Sequence, residues 1–150
     1  GGLDAAVQAV IADARKAAPK ACIDGVLVSE LAEGVEVLIG VVDDAAFGPA
    51  VALGLGGVMA EAMGDVTHRI APFDLETAHD MIVELKGARI LDAYRGRPAA
   101  DRQALAELLV TVSRMAVALG DRLGELDINP VFVAAMGRGV VVADALLVLR

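Results

Sequence analysis

Aromatic residues are scarce: the chain has no Trp, one Tyr and three Phe, although 57% of its 150 residues are hydrophobic. Its core must therefore be built from Ala, Val, Leu and Ile. A single cysteine, Cys22, excludes an internal disulfide and suits a reducing compartment. Basic residues are also few, 13 against 21 acidic, giving a formal charge of -8 and a pI near 4.6. That balance argues against nucleic acid and anionic membranes as partners. No apolar run reaches the roughly eighteen residues that a membrane span requires, and no basic n-region precedes an apolar h-region. A cytoplasmic protein is expected. No repeat or low-complexity tract marks a second domain, and 150 residues suffice for one core. The chain lacks an initiator Met and enters a helical pattern almost at once, so a single lobe excised from a longer chain is expected.

Several elements follow from periodicity and punctuation. Leu3, Val7, Val10 and Ile11 recur at helical spacing over residues 3–18, with Asp4 near the start, Arg15 and Lys16 near the end, and Pro19 as a stop. Two β-branched runs, residues 23–32 and 35–42, flank Glu33-Gly34 and predict a hairpin. Residues 50–55 and 66–70 predict further strands, separated from the first two by a loop over residues 43–49. Asp74 is placed to cap a helix over residues 75–85, in which Ala78, Met81, Ile82 and Leu85 share a face. Residues 86–100 predict a loop. Asp101 opens the longest helix, running to Leu119, with Leu105, Leu108, Leu109, Val112, Met115 and Leu119 as its apolar stripe. Strands and helices do not alternate strictly, so the predicted class is α+β, a mostly antiparallel sheet packed against helices.

The most informative stretch is Glu125-Leu126-Asp127-Ile128-Asn129-Pro130, followed by Val140 to Leu149 with Asp144 inside it. Alternation puts Glu125, Asp127 and Asn129 on one strand face and Leu126 and Ile128 on the other. The second run is apolar on both faces, as in a buried strand, and only Asp144 charges it. Met136-Gly137-Arg138-Gly139 predicts a turn joining the two as an antiparallel hairpin. A turn centred between Met136 and Gly137 sets Asn129 opposite Asp144; one centred a residue later leaves them diagonal. Oxygen ligands so gathered suit a hard divalent cation that completes its shell with phosphate and water. The alternative is a solvated acidic face with one hydrogen-bonded core Asp.

A set of motifs in order resembles a known family. These are Gly34 to Gly40, Asp44 through Phe47-Gly48-Pro49, Gly54-Leu55-Gly56-Gly57 with Glu61, Asp65 to Pro72, Arg95-Gly96 with Asp101, and Leu126 to Pro130 with Asp144. Together they are similar to the second, C-terminal lobe of the ATP-grasp domain of NDP-forming acyl-CoA synthetases. The beta subunit of succinyl-CoA synthetase is a more distant relative. The resemblance implies that Asn129 and Asp144, with Asp127, hold the Mg²⁺ of ATP. It also implies that Val28-Ser29-Glu30-Leu31 presents backbone to adenine, that Glu36 lies near the ribose, and that Arg69 contacts phosphate or is merely a strand surface Arg. Ser29 departs from the pattern, which usually has Gln or Glu there.

On this resemblance the expected activity is acyl-CoA formation from a carboxylic acid, CoA and ATP, with release of ADP and phosphate. The alternative is a non-catalytic regulatory or interaction domain of a protein lysine acetyltransferase fusion. Lys16, Lys20 and Lys86 all lie on helix ends or loops, so the strand lysine of a first lobe is not matched. His68 and His79 do not match the family's phosphohistidine either; His68 is expected half-buried on its strand and His79 on a helix face. The expected partners are therefore ATP and ADP, an N-terminal ATP-grasp lobe and the CoA-binding domains of the parent protein. An exposed apolar surface near residues 28–31 predicts a homodimer.

Overall fold

The computed structural model describes residues 2–44, 46–56, 64–93 and 96–150, which divide after Leu31 into two compact units. In the first, α1 (Gly2–Ala17) has Asp4 in its first turn and Arg15 and Lys16 in its last, each charge matching the nearby end of the helix dipole. Residues 21–33 form no regular element, so neither the strand expected over 23–32 nor its hairpin with 35–42 exists. Apolar and β-branched composition makes a strand only where a neighbour supplies ladder hydrogen bonds and a packing face. This segment has no ladder, and Leu27 is 93% exposed.

The second unit is a six-stranded antiparallel sheet with helices on one face. Its elements are β1 (Val35–Asp44), β2 (Gly48–Leu55), β3 (Val66–Ile70), α2 (Leu75–Glu84), α3 (Arg102–Leu119), β4 (Leu123–Val133), β5 (Val140–Val142) and β6 (Ala145–Leu149). The spatial order is β3-β2-β1-β4, with β5 and β6 sharing the far edge of β4. The true first hairpin is β1–β2, in register down to Asp44 opposite Gly48. Both strands run two residues further toward the turn than expected, because the Asp44 carboxylate accepts from Ala46 N at 2.8 Å and Phe47 N at 3.0 Å and closes the loop tightly.

Strand alternation builds the core. Val35, Val37, Ile39 and Val41 of β1, Val51 and Leu53 of β2, and Leu126, Ile128, Val131 and Val133 of β4 are all buried toward the helices. Above them lie Ala78, Met81 and Ile82 of α2 and Leu105, Leu109, Val112 and Ala116 of α3. The expected stripe of α3 holds at its centre, but Met115 is turned out and Ala106, Val110 and Ser113 are buried instead. Small residues bring α3 close to its neighbours, and the Ser113 hydroxyl donates to Val110 O at 2.8 Å, so no buried polar atom is stranded there. By length and composition α3 with its following turn could span a bilayer, yet its apolar stripe packs in this core. The expected cap forms, Asp74 accepting from Thr77 N, and Asp101, expected to open the longest helix, caps it by accepting from Ala104 N. Within the expected loop over 86–100, residues Ala88–Leu91 form a 3₁₀ turn that buries Leu91.

The unbroken apolar run over residues 140–149 also predicted a buried strand, and this is corrected. The run is broken into β5 and β6, and residues 141–149 are exposed. The helices pack over β2, β3 and β4, and the outer strands lie beyond their reach. An apolar composition therefore marks β6 as a sheet edge with two uncovered faces, not as core.

Candidate metal centre

β4 carries the candidate site, and a bulge in it sets the geometry. Against β1, Val131 faces Val37 and Ile128 faces Ile39, so two residues, Asn129 and Pro130, stand opposite Leu38 alone. The Asn129–Pro130 peptide is cis, and Pro130 has no N–H to give the ladder. Ile128 and Val131 are consequently both buried although three positions apart, while Asn129 is exposed. On the other side, β5 and β6 break at the same level. Asn129 N donates to Asp144 O at 3.1 Å, and Ala143 N donates to Pro130 O at 3.0 Å. Asn129 thus faces Asp144 directly, in the register that pairs Val131 with Val142 and Ile128 with Ala145.

Asp144 is exposed, contrary to the expectation of a charge in a buried strand. Its Oδ1 accepts from Ala145 N at 2.8 Å, which orients the carboxylate. Asp127, half-buried, lies two residues before Asn129, and Glu125 is exposed two residues before that. Among the described residues no three His, Cys, Asp or Glu side chains cluster tightly enough to hold a metal by themselves. Two carboxylates and an amide suit Mg²⁺, which keeps water and takes phosphate oxygens for the rest of its shell.

The sheet face away from the helices extends from this corner. Directly across the ladder from Asp127 come Gly40, Ala52 and His68, and the neighbouring positions of β2 are Ala50 and Gly54. Sequence analysis placed Gly54 and Gly56 only in the motif set and did not reveal this floor of small residues. The signal was present as period two, Ala50, Ala52, Gly54 and Gly56 falling on one strand face. A Cβ on Gly54 would come within 3.3 Å of the Leu38 side chain, and one on Gly56 within 2.9 Å of Glu36 Cβ. Gly56 N donates to Glu36 O at 2.8 Å, so Glu36, exposed, stands over this end of the floor. His68 is likewise exposed rather than half-buried, because β3 alternates the opposite way: Thr67 and Arg69 turn toward the helices.

Arg69 is therefore not brought together with the other candidates. It pairs with Val51 of the core face and donates to Glu84 Oε1 at 2.6 Å and to His68 O at 2.9 Å. Ser29, Glu30 and Leu31 lie in the first unit, in the segment without regular structure. His79 lies on a helix face, with Nε2 3.1 Å from Gln103 Oε1. Gly57, Glu61 and Arg95 of the motif set lie outside the described residues.

Two buried aspartates brace the fold around this face. Asp65 accepts from Lys86 N and Gly87 N at 2.9 and 2.8 Å, fixing the end of α2 to the start of β3. Asp101 accepts from Ala104 N with Oδ1 and from Gly137 N and Gly139 N with Oδ2. Those backbone donors, Ala104 first, hold its carboxyl below the ordinary carboxylate value.

Comparison with known proteins gives this geometry a family. The profile of the ATP-grasp domain matches residues 2–149. The beta subunit of ADP-forming acetate–CoA ligase II from Pyrococcus furiosus is 44% identical over 139 residues, 92% of this chain and 59% of that subunit. The crystal structure of PH1788 from Pyrococcus horikoshii superposes with a TM-score of 0.77 at 40% identity, covering 95% of this chain and 60% of that one. Dinucleotide-forming acetyl-coenzyme A synthetase 1 of Candidatus Korarchaeum cryptofilum, in complex with coenzyme A and Mg-AMPPCP, superposes with a TM-score of 0.74 at 38% identity over 80% of this chain and 55% of that one. The chain thus spans less than two thirds of the length of these relatives. With a matching profile over nearly its whole length, it belongs to the ATP-grasp domain family of the ADP-forming acyl-CoA ligases.

Proposed function

We propose that this chain is the nucleotide- and Mg²⁺-binding lobe of an NDP-forming acyl-CoA synthetase, which joins a carboxylic acid to CoA at the expense of ATP. The observation that carries the reading is the placement of Asn129 against Asp144, where two neighbouring strands become irregular together beside the small-residue face. Asp127, Asn129 and Asp144 would hold the cation, which neutralises phosphate charge during transfer. The floor of Gly40, Ala50 and Ala52 lets a planar or extended ligand approach the backbone, while Gly54 beside it is covered by the side chains of Leu38 and Val66. Glu36 is proposed beside the ribose and Ser29, Glu30 and Leu31 beside adenine. Arg69, tied to Glu84 on the other face, is left out of the phosphate contacts. An N-terminal ATP-grasp lobe and CoA-binding domains are the proposed partners, and the free, exposed thiol of Cys22 fits a cytoplasmic setting.

Manganese provides the direct test, since Mn²⁺ takes the same oxygen ligands and broadens nearby amide resonances. On titration into the ¹⁵N-labelled chain, Asp127, Asn129, Asp144 and Ala145 should broaden first and recover when excess Mg²⁺ is added. Uniform broadening across all acidic residues, including Asp4, Asp13 and Asp24, would instead mean loose counterion attraction to a chain of charge -8.

Self-association is proposed through the apolar side chains of Leu27, Val28 and Leu31, all well exposed. Contiguous apolar side chains of this size tend to be covered again by another surface. Sedimentation at rising concentration should show a reversible dimer that weakens when Leu27 and Leu31 are changed to Ser. A clean monomer throughout would remove this interface.

A further inference from the structure

The register that sets Asn129 against Asp144 needs a cause, and burial does not supply one. In most strands a one-residue slip moves apolar side chains into water, so the core enforces the pairing. Here β5 reads Val140-Val141-Val142 and β6 reads Ala145-Leu146-Leu147-Val148-Leu149, apolar at every position. Only Val140 packs against the core, and a slip one way would replace it by Val141; elsewhere either frame puts similar side chains on either face, and residues 141–149 are exposed in any case. The ladder itself contains both frames. Glu125 faces Val148, but Leu123 faces Leu149, one residue out of step. At that end the Arg150–Asp43 ion pair of 2.8 Å is exposed, and exposed pairs hold little.

The turn at the other end is held differently. β4 is anchored there by backbone, with Asp101 N donating to Ala134 O and Met136 N to Ala99 O, both at 2.8 Å. The returning arm has two backbone bonds of its own turn, Arg138 N to Ala135 O at 2.8 Å and Ala134 N to Gly139 O at 3.0 Å, and, among the described residues, one clamp from outside the hairpin. That clamp is Asp101 Oδ2, which accepts from Gly137 N at 2.9 Å and from Gly139 N at 3.0 Å. Gly137 and Gly139 have φ of 77° and 78°, a region that L side chains rarely adopt, so the turn shape is specific to these two positions. Asp101 is 8% exposed, and its other oxygen caps α3, which seats the clamp on the rigid helical layer.

We propose that Asp101 is a positioning residue, setting the register of the β4–β5–β6 hairpin from the N-terminus of α3 and so placing Asp144 opposite Asn129. A slip of one residue would set Asp144 against Ile128, whose side chain is buried, or against Pro130, which has no N–H. The consequence for cation binding rests on the reading of Asn129 and Asp144 as ligands; the register claim does not.

Asp101→Asn separates clamp from cap. Asn caps a helix about as well as Asp, so its oxygen keeps Ala104 N and the chain folds, while its amide group cannot accept from Gly137 or Gly139. Interstrand NOEs between residues 131–133 and 140–142 report the register, and the Mn²⁺ concentration that half-broadens Asn129 and Asp144 reports the site. In the variant, the NOE set should weaken and be joined by a second set offset by one residue, and the half-broadening concentration should rise at least about threefold. An unchanged single register in a variant whose α3 amides are native overturns the proposal. A shifted register with unchanged Mn²⁺ response overturns the link to the site. If the unaltered chain shows no Mn²⁺ effect at Asn129, the metal reading fails, and the NOEs alone decide the register claim.

Discussion

In a complete synthetase containing this domain, Asp144→Asn should lower Mg-nucleotide turnover by about 100-fold or more, equivalent to ~2.7 kcal/mol at ~1.36 kcal/mol per decade. Removing one of two carboxylates weakens the cation's hold just where transferring phosphate develops charge, so kcat should fall and the Mg²⁺ requirement should rise. The fold should not notice. Asp144 is exposed, and among the described residues its Oδ1 accepts only from its own neighbour, Ala145 N, as an Asn oxygen can too. Stability should stay within ~0.5 kcal/mol of the unaltered protein, as for other surface changes. A charge in a buried strand would have predicted stabilisation on its removal, and the exposed edge position excludes that. Steady-state ADP release measured against Mg²⁺ concentration, alongside thermal melting, checks both halves. Turnover like that of the unaltered enzyme would take Asp144 out of the site.

What could be read from the sequence was whatever local chemistry decides. Asp74 as a cap, Asp101 as the start of a helix and Leu75 to Leu85 as helix follow from residue types acting over short spans, and the turn at Gly137 offered the Asn129–Asp144 pairing as one of two registers. Two misreadings share one physical cause. Residues 23–32 and 140–149 are both apolar and β-branched, and such composition records affinity for a partner surface without saying whether one exists. In the first case there is no ladder at all; in the second there is a ladder but no helix above it. Arg69 was misplaced through parity: β3 pairs Arg69 with Val51, and only the register against β2 could tell which strand face looks at the helices. The clamp at Asp101 joins residues 36 and 38 positions apart, a span over which local residue types carry no signal.

The chain by itself should bind Mg-ATP no more tightly than roughly millimolar, about 4 kcal/mol, and should release no ADP above background. Phosphoryl transfer depends on several charges placed at once, and a cation site of two or three oxygens supplies only part of such a set. Of the three lysines, Lys86 follows α2, with its backbone N held by Asp65, and Lys16 lies in the last turn of α1. Lys20 follows Pro19, outside any regular element, so none of the three sits on a strand. The residues proposed to meet the phosphates and ribose, Asn129, Asp144 and Glu36, are all exposed, and contacts made in high dielectric are weak. Closure of a second lobe would exclude water and strengthen each of them together. Calorimetric titration of Mg-ATP into the purified chain, followed by the same titration after adding the N-terminal lobe of a related ligase, separates the two contributions. Micromolar binding by the chain alone would show a complete site within these 150 residues and would end the two-lobe account.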